Sequence, residues 1–321
     1  MNRFLCGLGV FSVLGLLGAG CVAGAPDESE EEAGVNESAV GQSELLPTGK
    51  GAGIINNAQV GSDNGNAKPG GGAKPSSNGI SYHGGPVMTG TINLYYIWYG
   101  NWAGNNATTI LEDLGKSIGG SPYWNINTTY TSSAGTHLSN SVAFGGSTSD
   151  NYSQGTALSD AAIQTIVSSA ISANKLPKDT NGIYFVLTSA DVNATSGFCS
   201  QYCGWHTHGT ISGSDIKYSF VGNPDRCPSA CAGGQSPNGN AGADGMASIL
   251  AHEAEEAATD PDLNAWYDNR GYENADKCAW TFGTTYTAAN GAQANMKLGA
   301  RDYYIQRNWV NAAGGSCALS Y

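Results

Sequence analysis

A stretch from His252 to Asp276, HEAEEAATDPDLNAWYDNRGYENAD, concentrates the residues that could do chemistry. It holds one histidine and eight carboxylates: Glu253, Glu255, Glu256, Asp260, Asp262, Asp268, Glu273 and Asp276. Charged residues make up only 12% of the chain, so this density is not background. Carboxylates repel one another unless positive charge sits among them. Only Arg270 and Lys277 are close in sequence, and a bound metal ion is the charge the stretch lacks. His252, Glu253 and Glu256 form H-E-x-x-E. On a helix, positions i and i+4 share a stripe. That is the spacing of H-E-x-x-H metallohydrolases, where the two outer residues hold zinc and the Glu activates water.

Glu256 stands where the second histidine would be. A carboxylate there adds negative charge to the ion, so calcium or manganese compete with zinc, which is the expected ion if the site is catalytic. Two positions are candidates for the third ligand. Asp262 stands ten residues after His252, where one group of zinc peptidases places its last ligand. Glu273 and Asp276 stand about twenty residues after Glu256, where another group places a Glu ligand and an Asp that orients the histidine. We take His252, Glu256 and Glu273 as the expected ligands, with Asp262 as the alternative third. Glu253 is the expected general base, and Asp276 and Asp260 the outer support. The bland alternative is a solvated acidic helix end carrying one histidine.

These residues need elements to position them. Ile92 to Tyr99 is apolar on both alternating faces, as in a buried central strand, and its Tyr95, Tyr96, Trp98 and Tyr99 read mostly as core. Ala107 to Ile118 carries a helical stripe of Ile110, Leu111, Leu114 and Ile118, ended by Gly119-Gly120. Ser141 to Phe144 is a short strand. Ser159-Asp160 caps a helix with Ile163, Ile166, Val167, Ala170 and Ile171 on one face. Ile183 to Leu187 is a buried strand, and Ile216 to Val221 alternates as a more exposed one. Asp244 caps a last helix from Gly245 to Thr259, which Asp260-Pro261 ends. Its buried face is Met246, Ile249, Leu250, Ala254 and Ala257, with Glu253 on that face and His252, Glu256 and Asp260 on a stripe beside it. The expected fold is α/β (α+β): one layered, zincin-like β-α-β-α-β-β-α core whose last helix carries the chemistry.

Residues 1–25 read as an export signal, with a short positive start and an apolar run too short to span a bilayer comfortably. Cys21 at the end of that run resembles a lipoprotein processing site, giving a signal of residues 1–20. Ala23-Gly24-Ala25 is the alternative, soluble cleavage site. Residues 26–78 are acidic and then Gly-, Pro- and Asn-rich, with almost no core-forming material, and read as a tether. Residues 79–321 form the domain. A net charge of −12 argues against nucleic acid and anionic membrane surfaces as partners. Membrane contact is expected only through the lipid anchor, and the oligomeric state is taken as monomeric.

The domain holds Cys199, Cys203, Cys227, Cys231, Cys278 and Cys317, an even count that reads as three disulfides in an exported chain. The pairing taken is Cys199–Cys203, Cys227–Cys231 and Cys278–Cys317. The alternative is a zinc site using the two C-x3-C pairs, with His206 and His208 close by. Those two histidines otherwise read as an exposed turn, with a cleft-lining position for one of them as the alternative.

The run YHGGPVMTGTINLYYIWYGNW, from Tyr82 to Trp102, resembles the opening of the EXORDIUM, or phosphate-induced protein 1, family. The resemblance continues through VLTSADV, FCSQYCGWH, FVGN, RCPSAC and DGM, and through the isolated Cys278 and Cys317. It covers nearly all of residues 79–321. It is to a bacterial-type member carrying H-E-x-x-E. It implies an extracellular, disulfide-bonded protein of a family best known from plant cell walls, with no settled chemistry.

Two functions follow. The first is an exported or cell-surface, outer-membrane-anchored metal-dependent hydrolase acting on extracellular peptide or protein. The second is a non-catalytic surface protein, associated with a cell-wall polymer, that holds a structural cation or no metal.

Overall fold

The computed structural model describes residues 79–321. The export signal, Cys21 and the tether of 26–78 lie outside the described residues. Five strands form the main sheet. Ile92–Tyr99 (β1) is buried at every position but Asn93. It lies between Val142–Asp150 (β2) and Gly182–Thr188 (β3), and pairs with both in parallel. Gly204–Ile211 (β4) and Ser214–Val221 (β5) complete a sheet of order β2-β1-β3-β5-β4. β5 pairs parallel to β3, and β4 runs antiparallel at the edge. Parallel neighbours need long crossovers. The helices Ala107–Ser117 (α1) and Asp160–Ser172 (α2) supply them.

The expected local chemistry is in place in both. α1 buries Ile110, Leu111 and Leu114, the stripe read from the sequence. Ser159 caps α2, its side chain accepting from the Ala162 N–H, and the five expected apolar residues are buried. The four aromatic residues of β1 are core, each at most 5% exposed.

Several expectations are corrected. β2 is nine residues long, not a four-residue stub, and forms the far edge of the sheet. β5 is an inner strand, buried from Ile216 to Val221, because β4 covers its outer side. His206 and His208, expected in an exposed turn, lie on β4. The two strands are joined by Ser212-Gly213, both with positive φ (50° and 74°), the conformation a tight two-residue hairpin loop requires.

Among the described residues the disulfides are Cys199–Cys227, Cys203–Cys231 and Cys278–Cys317. The last is the pairing expected. The first two are crossed relative to it, for a topological reason. The β4–β5 hairpin pairs Gly204 with Val221, and the Gly222 N–H bonds the Cys203 carbonyl. The segments flanking the hairpin therefore face each other, and each cysteine of one finds its partner in the other. The alternative zinc reading of these cysteines is excluded, since all four are oxidised.

The last helix, Ala241–Thr259 (α3), starts four residues before the expected Gly245. Asn240 is its cap, accepting from the Ala243 N–H. The carboxylate of Asp244 instead accepts from Ser236 Oγ and the Asn238 amide groups. α3 is buried all round, from Gly242 to Thr259, rather than along one face. The sheet and α1 cover one side of it. The C-terminal segment covers another, where Ser248 Oγ accepts from the Gln306 backbone and side-chain amides at 3.1 and 3.2 Å. The Cys278–Cys317 bridge fastens that segment.

The edge strand approaches α3 through a glycine. A Cβ on Gly204 would stand 2.6 Å from Ile249 Cγ2, 2.9 Å from the Phe220 carbonyl and 3.1 Å from Glu253 Oε1. Gly204→Ala should therefore cost about 1–3 kcal/mol through overpacking. Urea unfolding should show a lower midpoint. An unchanged midpoint would mean that β4 has slack against the helix.

Candidate metal centre

Three elements converge on one enclosed space. α3 contributes His252, Glu253 and Glu256, one turn apart as the sequence spacing requires. β4 contributes His206, and the loop after α3 contributes Glu273 and Asp276. His252 Nε2 lies 2.9 Å from Glu256 Oε1 and 3.6 Å from Asp276 Oδ1. The Asp276 backbone N–H donates to the same Glu256 oxygen at 2.9 Å. The second Glu256 oxygen faces the other histidine, with His206 Nδ1 3.7 Å from Glu256 Oε2 and 3.6 Å from Glu253 Oε2. His206 Nε2 lies 3.6 Å from Glu273 Oε1. It also donates to the backbone carbonyl of Asp260 at 3.2 Å. A carbonyl can only accept, so this contact fixes the proton on Nε2 in the neutral ring. Nδ1 is then the lone pair turned toward Glu253 and Glu256. One ring nitrogen anchored on a backbone carbonyl and the other aimed inward is the usual posture of a metal-ligating histidine.

The site is almost sealed. His252, Glu253, Glu256 and Glu273 are 0% exposed and His206 is 4% exposed. Both oxygens of Glu253, both of Glu273 and Oε2 of Glu256 have no hydrogen-bond partner. Buried carboxylates without partners cost several kcal/mol each if ionised. Like charges 4 Å apart add about 4 kcal/mol of repulsion at an effective dielectric near 20.

The protein's own groups offset this only in part. Burial pushes the Glu253 carboxyl up to about 7, with His206 and His252 pulling against it. Burial would raise Glu256 as well, but His252 and His206 outweigh it and hold this carboxyl down to about 2. Burial drives Glu273 well above the carboxylate range despite His206. Burial lowers both imidazoles, yet the surrounding carboxylates more than reverse this and hold His206 and His252 well above their ordinary value. These shifts describe a site that must hold protons where it lacks cations.

The donor set fits a divalent metal. It combines imidazole nitrogens, which suit zinc, with carboxylates, which suit manganese and harder ions. Two groups of donors each lie within 4.8 Å of one another: His206 with Glu256 and Glu273, and His252 with Glu253 and Glu256.

Most residues singled out in the sequence are here: His252, Glu253, Glu256, Glu273 and Asp276. Two are not in the expected roles. Asp262 does not join them. It lies 3.2 Å from Lys217 Nζ and 3.5 Å from His208 Nδ1, in a separate cluster with Asp215 that carries its own cation. Asp260 supports the site through its backbone, and supports His206 rather than His252. Its side-chain Oδ1 accepts from the Asn264 and Ala265 N–H groups, both at 2.6 Å, which pins the turn after α3. Burial raises this carboxyl to about 6.

His206 is the site residue that sequence reading left outside the expected ligand set. The available signal was the Ser212-Gly213 turn between two strand-like runs, which would have turned the GWHTHGTI segment into a strand beside Ile216–Val221. Glu255 is a further surprise. It is 0% exposed with both oxygens unpartnered, and burial drives it well above the carboxylate range against the pull of His252 and Asn127.

Fold and site together define a disulfide-bonded α/β protein built around a buried histidine–carboxylate centre. Residues 80–303 match the family model of the phosphate-induced protein 1 conserved region. Protein EXORDIUM-like 3 of Arabidopsis thaliana is 34% identical over 270 residues, covering 72% of this chain and 80% of that protein. Protein EXORDIUM-like 5 of the same plant is 36% identical over 216 residues, 59% of each chain. Protein EXORDIUM, also from Arabidopsis thaliana, is 30% identical over 240 residues, 64% of this chain and 74% of that one. No solved structure matches. The chain belongs to the phosphate-induced protein 1, or EXORDIUM, family.

A ligand that binds only the folded state stabilises it by about 2.7 kcal/mol at a hundredfold excess over Kd. For a domain of this size that is a rise in Tm of about 5–10 °C. We expect such a rise when zinc or manganese is added to chelator-treated protein. Glu273→Gln and His206→Ala should shrink it, and Asp262→Asn should leave it intact. Equal melting curves with and without metal would count against a metal centre.

Proposed function

We propose that this chain is an exported, cell-surface or extracellular metal-dependent hydrolase of the EXORDIUM family, acting on peptide or protein. The observation that carries the reading is the set of unpartnered, fully buried oxygens on Glu253, Glu256 and Glu273, facing two histidines. His252, His206, Glu256 and Glu273 would hold the ion, zinc if the site is catalytic and manganese or calcium otherwise. The bound ion would supply Lewis acidity toward a carbonyl oxygen and lower the pKa of an attacking water.

The chain's own residues do the rest. Glu253 follows His252 directly, and both its oxygens are free to take a proton from that water and pass it to a leaving amine. Asp276 Oδ1 faces the same His252 nitrogen as Glu256 does, and the Asp260 carbonyl orients His206. An antiparallel edge strand running beside the H-E-x-x-E helix supports the zincin-like reading of the core, as an analogy of layout. The three disulfides are in keeping with an oxidising, extracellular setting.

The enclosure of the site favours a second reading. Four of the five central side chains have no exposed surface, whereas a catalytic ion needs an open position. In that reading the centre is a structural cation in a non-catalytic surface or wall-associated protein. Glu253→Gln separates the two. In the hydrolase it should retain metal, measured by elemental analysis, and lose about 10²–10⁴-fold in turnover of a fluorogenic peptide library. Full turnover in this variant would sink the assigned mechanism. A metal-loaded wild type with no turnover on any peptide would leave the structural reading.

A further inference from the structure

We propose that the centre is dinuclear, with Glu256 bridging two divalent cations. This deepens the metal-centre reading above and rests on it.

The first argument is the aim of the Glu256 carboxylate. Its Oε1 lies 2.9 Å from His252 Nε2, while its Oε2 faces His206 Nδ1 at 3.7 Å. The two oxygens of one carboxylate therefore serve two different histidines. The second is the grouping of donors. The two clusters, His252–Glu253–Glu256 and His206–Glu256–Glu273, share Glu256 and nothing else.

The third argument is charge. Glu253, Glu256 and Glu273 would carry three negative charges when ionised, and one divalent ion leaves one of them uncompensated in a space closed to water. Bridging carboxylates are a common way to hold two such ions about 3.5–4 Å apart. Both oxygens of Glu253 and both of Glu273 are unpartnered, and Glu253 Oε2 and Glu273 Oε1 each lie 3.6 Å from a His206 nitrogen, Nδ1 and Nε2 respectively. The His208–Asp215–Asp262 cluster makes the contrast. It already contains Lys217 within 3.2 Å of Asp262, so no second ion is called for there.

The geometry assigns the two ions different neighbours. On one side stand His252 and Glu256 Oε1, with Glu253, the assigned base, beside them. On the other, His206 and Glu256 Oε2 are joined by Glu273. Loss of Glu256 should therefore disturb both ions, and loss of a flanking residue only one.

The test is stoichiometry. Full-length protein would be stripped with chelator, dialysed against manganese, and assayed for bound metal and by electron paramagnetic resonance. Two equivalents with an exchange-coupled signal are expected in the wild type. His206→Ala and Glu273→Gln should bind one equivalent and give an uncoupled six-line spectrum. Glu256→Gln should bind less than one. Melting curves would confirm that each variant is folded, and the wild-type count decides the matter even if a variant is not. One equivalent with an uncoupled spectrum in the wild type overturns the dinuclear proposal and leaves a single-ion centre standing. No bound metal overturns both.

Discussion

Negative charge removed from water is the constraint around which this structure is organised. α3 is a nineteen-residue helix with no exposed face over most of its length, yet it carries His252, Glu253, Glu255 and Glu256. A helix buried on every side is normally apolar on every side. Its alanines and aliphatic residues can be enclosed without difficulty. Its carboxylates can be enclosed only if something cationic or protonated accompanies them, since the effective cost of burying an unpaired ion is several kcal/mol. The net stability of a domain is itself only about 5–15 kcal/mol. Three or four such ions without partners would exhaust it.

The rest of the fold can be understood as holding the walls of that space in place against repulsion. The β4–β5 hairpin brings His206 to one side, and the crossed disulfides Cys199–Cys227 and Cys203–Cys231 tie the base of the hairpin. Each closes a separation of 28 residues, which in the loop-entropy view stabilises by about 3–4 kcal/mol. On the opposite side, the loop bearing Glu273 and Asp276 leads directly into Cys278, which is tied to Cys317. The Trp309 N–H bonds the carbonyl of Asn274, next to Glu273. Both groups of site residues that do not come from α3 are therefore anchored covalently within a few residues. Anchoring of this kind keeps donors in position whether or not the charge among them is balanced.

The sequence made the local parts of this arrangement legible and concealed the long-range ones. Short runs apolar on both faces identified β1 and β3, helical spacing identified α1 and α2, and Ser159 was readable as a cap because its role depends on residues three positions away. H-E-x-x-E was legible for the same reason. His206 was not, because its meaning comes from Asp260 and Glu256, each about fifty residues distant. The all-round burial of α3 was hidden by Ala251, Ala254, Ala257 and Ala258, small residues that fit a core or a surface equally well. Asp262 looked like a ligand by spacing, but spacing along the chain ignores Lys217, which reaches it from β5. The crossed disulfides were concealed by the same hairpin that concealed His206.

The exchange of an imidazole for Glu256 changes the character of the centre relative to H-E-x-x-H sites. A neutral second histidine would lower the electrostatic demand to one cation and fix a tetrahedral set of nitrogen-rich donors. A carboxylate raises the demand and offers two oxygens, which can point in different directions, as they do here. The same replacement weakens the polarisation of water by any single ion, because the ion's charge is partly cancelled by its own ligand. A second cation on the far oxygen of Glu256 would restore what the substitution removes. Calcium alone fits poorly, since it takes six to eight oxygen donors and this space offers two imidazoles. Zinc or manganese fits the mixed donors better. Membership of the EXORDIUM family establishes the framework, while the chemistry rests on these few side chains and the charge they leave unbalanced.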